Sequence, residues 1–360
     1  MKITFLIGNG FDIGIGLHTK YQDFYEKYSS PEPDDSKNIS DFKNHLKEYT
    51  ESSDEKKPII DWADFESAFG KHSNDFESNE KRRYLDRFEH FAMKFNSYLE
   101  EEIKNVDYSN AKFISKTMRS ALASFYEIRQ ADKNALQSLI QRLPGEFSYN
   151  FISFNYTDCL DQCIKIFKSL TDEGTRKQIR NIIHVHGYID KNMIMGVNDA
   201  SQISNPEFAK DIDVINEIVK PQQNLDGRTA YDNAATDTIN ESDIICIYGM
   251  SIGKTDKKWW NLIAAWLSKS GDHALIILKH DTNYNQRFVF TQSTLANKTV
   301  DQFLSFSSLN QEGKNTIRRR IYFCGNHDIF EMNLRKKDTA SIDSFVPTSD
   351  SNSVEQTKLA

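Results

Sequence analysis

An α/β fold, built on a Rossmann-like, mostly parallel sheet with a large helical insertion after the first strand, is predicted by three features of the sequence. Residues Lys2 to Ile7 form a short, almost continuous apolar run that breaks at Gly8-Asn9-Gly10, the pattern of a strand buried on both faces and a glycine turn. From Tyr149 onward, apolar runs alternate with helical periodicity, which implies parallel strands with helices packed on both sides. Between them, residues 20–145 read as mostly helical. The expected division is a nucleotide-binding core of residues 1–19 and 146–337, a helical subdomain of 20–145, and a disordered tail of 338–360.

At the first turn, missing side chains let backbone N–H groups approach an anion, with Asp12 at its mouth. A tight strand-to-helix turn is the structural alternative. Ile13 stands where the dinucleotide fingerprint needs its third glycine, so this is a variant kind of nucleotide turn. Residues 30–58 are polar and rich in Ser, Pro and acids, an excursion with some helix. Asp61 is placed to cap a helix beginning at Trp62. Tyr84, Phe88, Phe91, Phe95 and Tyr98 then recur at steps of four and three, one apolar stripe on a long helix over 77–105. Helices are also expected over 109–128 and 132–142. Further strands are expected at 149–154, 182–186, 192–196, 243–248, 274–278 and 320–324. Helices over 157–170, 208–218, 256–269 and 309–319 separate several of them.

Ligands of parallel sheets bind at the C-terminal strand ends, and several ends here are polar. Asn155 follows the second strand, where an amide can orient a hydroxyl or a water; capping the next helix is its other reading. His184 and His186 share a face at the third strand end, with Gly187 allowing close backbone approach. His186, at the tip, suits a general base, and His184 is expected to be a satisfied core residue. Gly249, Ser251 and Gly253 form a second small-residue loop that could cradle ribose or phosphate at a helix start, followed by Thr255 and Asp256. Either of these could cap the next helix, and Asp256 would meet a hydroxyl or a base rather than a phosphate. Trp259, Trp260 and Trp266 read as core. The polar turn 325–328 is explained by capping and is left out of the site.

Composition narrows the function. With 45 basic and 52 acidic residues the net charge is −7, which disfavours a protein devoted to gripping nucleic acid. No apolar stretch is long enough for a membrane helix, and the chain enters its first strand at once. A cytoplasmic protein is therefore expected, with its four scattered cysteines reduced and no metal bound.

Taken together, the motifs resemble the AbiH family of bacterial abortive-infection proteins. The matching stretches are Leu6–Asp12 with Gly16–Tyr21, Trp62–Glu66, Phe154–Thr157, His186-Gly187 and Tyr248–Asp256. Met250 departs from the family, which often has histidine there. The family is in turn similar to the sirtuin-like NAD-binding fold. That likeness equates turn 8–10 with a phosphate loop, Ser153–Asn155 with the Thr-x-Asn motif, His186-Gly187 with the catalytic His-Gly, and Gly249–Ser251 with the Gly-Thr-Ser loop. Thr157 replaces the sirtuin aspartate, and neither the zinc module nor the acyl-lysine groove has a counterpart, so protein deacylation is not implied.

The resemblance implies an antiphage protein that binds NAD, or a related nucleotide, as substrate or ligand and hydrolyses its nicotinamide–ribose bond. Asn155 would orient ribose and water, His186 would accept a proton, and Asp12 would supply negative charge near the cationic ribose. Gly8, Asn9, Gly10, Phe11, Gly187, Gly249, Ser251 and Asp256 would contact the nucleotide. Glu66 either reaches the site from the insertion or lies on the surface. The alternatives are a non-catalytic nucleotide sensor that signals by changing assembly and, less favoured, phosphodiester cleavage. A phage trigger and self-association are the expected partners, with the insertion as lid or interface.

Overall fold

The computed structural model describes residues 1–51, 62–124, 128, 130–143, 145–227, 230–279, 289–325 and 329–336. The expected cap at Asp61, the turn 326–328 and the tail 338–360 lie outside them. Six strands form one all-parallel sheet: β1 (Lys2–Ile7), β2 (Ser148–Ser153), β3 (Ile179–His184), β4 (Ile244–Tyr248), β5 (Ala274–Lys279) and β6 (Ile321–Gly325). Their order is β3-β2-β1-β4-β5-β6, with β1 central. In such an order the chain reverses direction across the sheet beside β1, which opens a crevice at the strand ends.

Alternation along the strands divides the interior into two cores. Phe5, Phe151, Cys246 and Ile276 point to one face, where they meet Ile114 and Met118 of helix Ala111–Ser124 and Cys163 of helix Cys159–Ser169. Leu6, Ile152, Ile247 and Ile277 point to the other, against Trp260 and Trp266 of helix Lys257–Lys269. The tryptophans are core, as expected, and their indole N–H groups donate to Gly253 O (2.9 Å) and Ser242 O (3.0 Å). The first of these bonds fastens the loop after β4 to the helix that follows it.

A third core lies off the sheet. The aromatic stripe of helix Lys81–Lys104 packs there against helices Tyr21–Tyr28 and Trp62–His72. Phe91 stacks on Phe65 with centroids 3.9 Å apart and meets Phe24 edge-on at 5.1 Å. Met195, Val197, Phe208, Val214 and Ile218 belong to this same core, whereas the helices over 111–124 and 130–142 pack on the sheet. The cores thus divide the chain differently from a boundary drawn at 20–145. Residues 192–196, expected as a strand, form none: their apolar side chains Ile194 and Met195 are buried as irregular backbone. Positive φ at both ends, +54° at Asn192 and +132° at Gly196, bounds the run, and Gly196 passes so close to Ile218 O that a Cβ would sit 2.1 Å from it.

Candidate functional site

A cavity of about 810 Å³, within the range of small-molecule sites, opens above the C-terminal ends of β1 to β5. Its floor comes from the strand ends, and part of its wall from Tyr21, Glu66, Phe95 and Leu99 of the helical insertion.

Asp12 lies in the first turn of the short helix Gly10–Gly14 and is 2% exposed. Asn155 Nδ2 donates to its Oδ1 at 3.1 Å, and the Thr157 hydroxyl donates to its Oδ1 and Oδ2 at 3.0 and 2.8 Å. Burial outweighs these donors and pushes the Asp12 carboxyl up to about 7. Asn155 does not cap a helix: the next one starts at Cys159, with Asp158 at its head. Its Oδ1 has no partner among the described residues. Its carbonyl meets His184 Nδ1 at 3.0 Å, while His184 Nε2 meets Asp161 Oδ2 at 2.8 Å. His184 is therefore the satisfied core residue expected. It ties the end of β2 to β3 and to helix Cys159–Ser169, which positions Asn155.

His186 lies two residues beyond β3, half-buried, and lines the cavity. Its Nδ1 faces the Phe154 carbonyl at 3.3 Å; a carbonyl only accepts, so Nδ1 carries the proton and Nε2 is the free base. Burial, reinforced by the charge of Lys220, holds the ring well below the usual histidine range and so neutral. Tyr156 stacks on it at 5.8 Å and donates through its hydroxyl to Ile194 O at 3.1 Å.

The first glycine turn differs from expectation. Gly8 N donates to Tyr248 O (2.9 Å) and Gly10 N to Gly249 O (2.8 Å), so neither is available to a phosphate. A Cβ on Gly10 would lie 2.4 Å from Gly249 Cα. The glycines let the turns after β1 and β4 touch, although Gly8, Gly10 and Gly249 still line the cavity. Asn9 also lines it, and its side chain holds Thr19 through bonds of 2.7 and 2.5 Å. Phe11 does not line it: its ring sits in the core, edge-on to Phe330 at 5.8 Å, and anchors the helix carrying Asp12. Gly187 is likewise absent from the lining, turned by a φ of +68° against Asn192 O. Ser251 lines the cavity and is exposed. Asp256 also lines it and makes no capping bond to helix Lys257–Lys269.

Glu66 is buried in the cavity wall and is not a surface group. It pairs with Lys220 at 2.6 Å, a partner no sequence signal pointed to. Burial, with Asp256 adding to it and Lys220 opposing it, pushes the Glu66 carboxyl up to about 7. Among the described residues, three possible metal ligands converge at His45, His72 and Asp75. None lines the cavity, and Arg87 donates to His72 Nε2 at 2.8 Å, a poor neighbour for a cation. No helix among the described residues is long and apolar enough to cross a membrane.

The arrangement can bind a polar ligand against a fixed carboxyl and amide, with a neutral imidazole base in the same cavity. No curated protein matches the chain. The family model described as bacteriophage abortive infection AbiH matches residues 4–277, from β1 into β5 and across most of the residues described above. The chain belongs to the AbiH family of bacteriophage abortive-infection proteins.

Proposed function

We propose that this phage-defence protein binds NAD or a related nucleotide in the cavity and hydrolyses the bond between nicotinamide and ribose. The observation that carries the reading is the Asp12 carboxyl, fixed by Asn155 and Thr157 in the same cavity as a histidine held neutral. As the glycosidic bond breaks, its electron pair leaves with nicotinamide and positive charge develops on the ribose. Ionised Asp12 stabilises that charge in a site of low dielectric. Asn155 Oδ1 orients the attacking water or a ribose hydroxyl. His186 Nε2 takes the proton of the water that adds to the ribose. The products are nicotinamide, ADP-ribose and a proton.

Both Asp12 oxygens already accept hydrogen bonds, which suits an electrostatic role better than nucleophilic attack. Thr157, standing where the sirtuin-like pattern has an aspartate, favours a second reading, a sensor that holds the nucleotide without turning it over. One assay separates the two: purified protein is incubated with NAD, with and without phage components, and free nicotinamide is followed beside Asn155→Ala and His186→Ala. Release lowered at least about 100-fold in both variants supports hydrolysis. Binding without release by the wild type replaces it with the sensor, and absence of both ends the nucleotide reading.

A further inference from the structure

We propose that Lys220, steadied by Glu66, holds the anionic part of the cavity's ligand, a phosphate or pyrophosphate ester. The inference rests on the nucleotide reading above and names the group that recognises the ligand's charge. The first glycine turn is unsuited to that task, because the N–H groups of Gly8 and Gly10 are spent on Tyr248 and Gly249 and the helix after them has only five residues.

Lys220 offers what the turn does not. It is 6% exposed and lines the cavity. An ammonium carries three donors, and Glu66 is its one ion-pair partner among the described residues. A buried cation with unmet donors is costly unless a ligand completes its shell. Its backbone is fixed, since Lys220 N donates to Val197 O at 2.8 Å and Gln223 Nε2 donates to Met195 O at 2.6 Å. Lys220 and His186 line the same cavity, and the charge of the ammonium helps to hold the ring neutral.

Glu66 is suited to release its partner. The groups that face it are Lys220, the Gly196 N–H, the Asp256 carboxylate and the Tyr156 hydroxyl. Burial and Asp256 leave it with a proton affinity near neutrality. An incoming phosphate therefore takes over the ammonium, and Glu66 takes up a proton in place of its ion pair.

The probe is inorganic pyrophosphate, followed on the full chain by thermal shift and by calorimetry in buffers of different ionisation enthalpy. Wild type is expected to bind it with proton uptake from about pH 7 upward, fading below about pH 6, where Glu66 already carries its proton. Binding should weaken at least about tenfold in Lys220→Met and in the double variant Glu66→Gln/Lys220→Met, which leaves no orphan charge. Lys220→Arg should retain it within about threefold, and Glu66→Gln alone should retain it while losing the proton uptake. Equal binding by wild type and both Lys220→Met variants overturns the assignment, as does no binding by wild type. Pyrophosphate binding that depends on Lys220, without any binding of NAD, keeps Lys220 as an anion receptor and discards the nucleotide reading. Cleavage of NAD with unchanged KM in Lys220→Met does the reverse.

Discussion

Replacing Asp12 by asparagine separates the charge of this group from its shape. Asn155 can still donate to the remaining carbonyl oxygen, and the Thr157 hydroxyl can rotate to accept from the new amide. In the wild type, burial raises the carboxyl from 3.8 to about 7. The folded state thus binds the proton more tightly than the unfolded chain, and stability falls as pH rises from about 4 to about 7. For this one group the loss between about pH 5 and pH 8 comes to about 2.5 kcal/mol, at 1.36 kcal/mol for each tenfold change in proton affinity. The same difference should appear between Asp12→Asn and wild type in urea unfolding, because asparagine does not titrate. The variant gains on the wild type as pH rises, whatever else titrates in both proteins, Glu66 included. At about pH 8 it should be the more stable protein and release no nicotinamide from NAD. A stability difference independent of pH, or a variant less stable at pH 8, would refute the claim that this carboxyl is held charged against its burial.

Two further outcomes follow from the same geometry. If Asp12 acts ionised, kcat/KM for NAD should rise about tenfold per pH unit below about pH 7 and level off above it, and this limb should persist in Glu66→Gln; a flat profile from about pH 5.5 to 8 removes Asp12 from the chemistry. Gly10→Ala places a Cβ 2.4 Å from the backbone of Gly249 and should cost about 3 kcal/mol in urea unfolding by forcing apart the turns after β1 and β4. An unchanged urea midpoint would mean that the contact yields easily.

Much of the sheet was legible because a strand buried on both faces must be apolar along its length. The runs at 2–7, 149–154, 243–248, 274–278 and 320–324 carry that signature, and each forms a strand within about a residue of the expected bounds. The run at 192–196 carries it too, yet its residues are buried without pairing. A short apolar segment records burial, not the partner that buries it. The strand-end residues Asn155 and His186 were legible for a related reason: a polar side chain just past an apolar strand lies at the sheet's edge, and a parallel sheet brings such edges together.

The sequence by itself determined five of the six strands, the long aromatic helix and the polar residues of the cavity floor, since each is written in neighbouring residues at a fixed spacing; the third strand lies at Ile179–His184 rather than at 182–186. Only the tertiary structure decided what the glycines do and where the charges meet. Gly8, Gly10 and Gly249 permit a turn to approach an anion or another turn equally well, and the hydrogen bonds to Tyr248 and Gly249 select the second. Phe11 lies beside Asp12 in sequence but turns into the core, because one turn of helix points adjacent side chains in different directions. Glu66 and Lys220 come from elements far apart in the chain, and neither has a local pattern that marks a buried ion pair. Their meeting depends on how helix Trp62–His72 and the segment through Gly196 pack above the sheet, a property of the assembled core that no short stretch of sequence encodes.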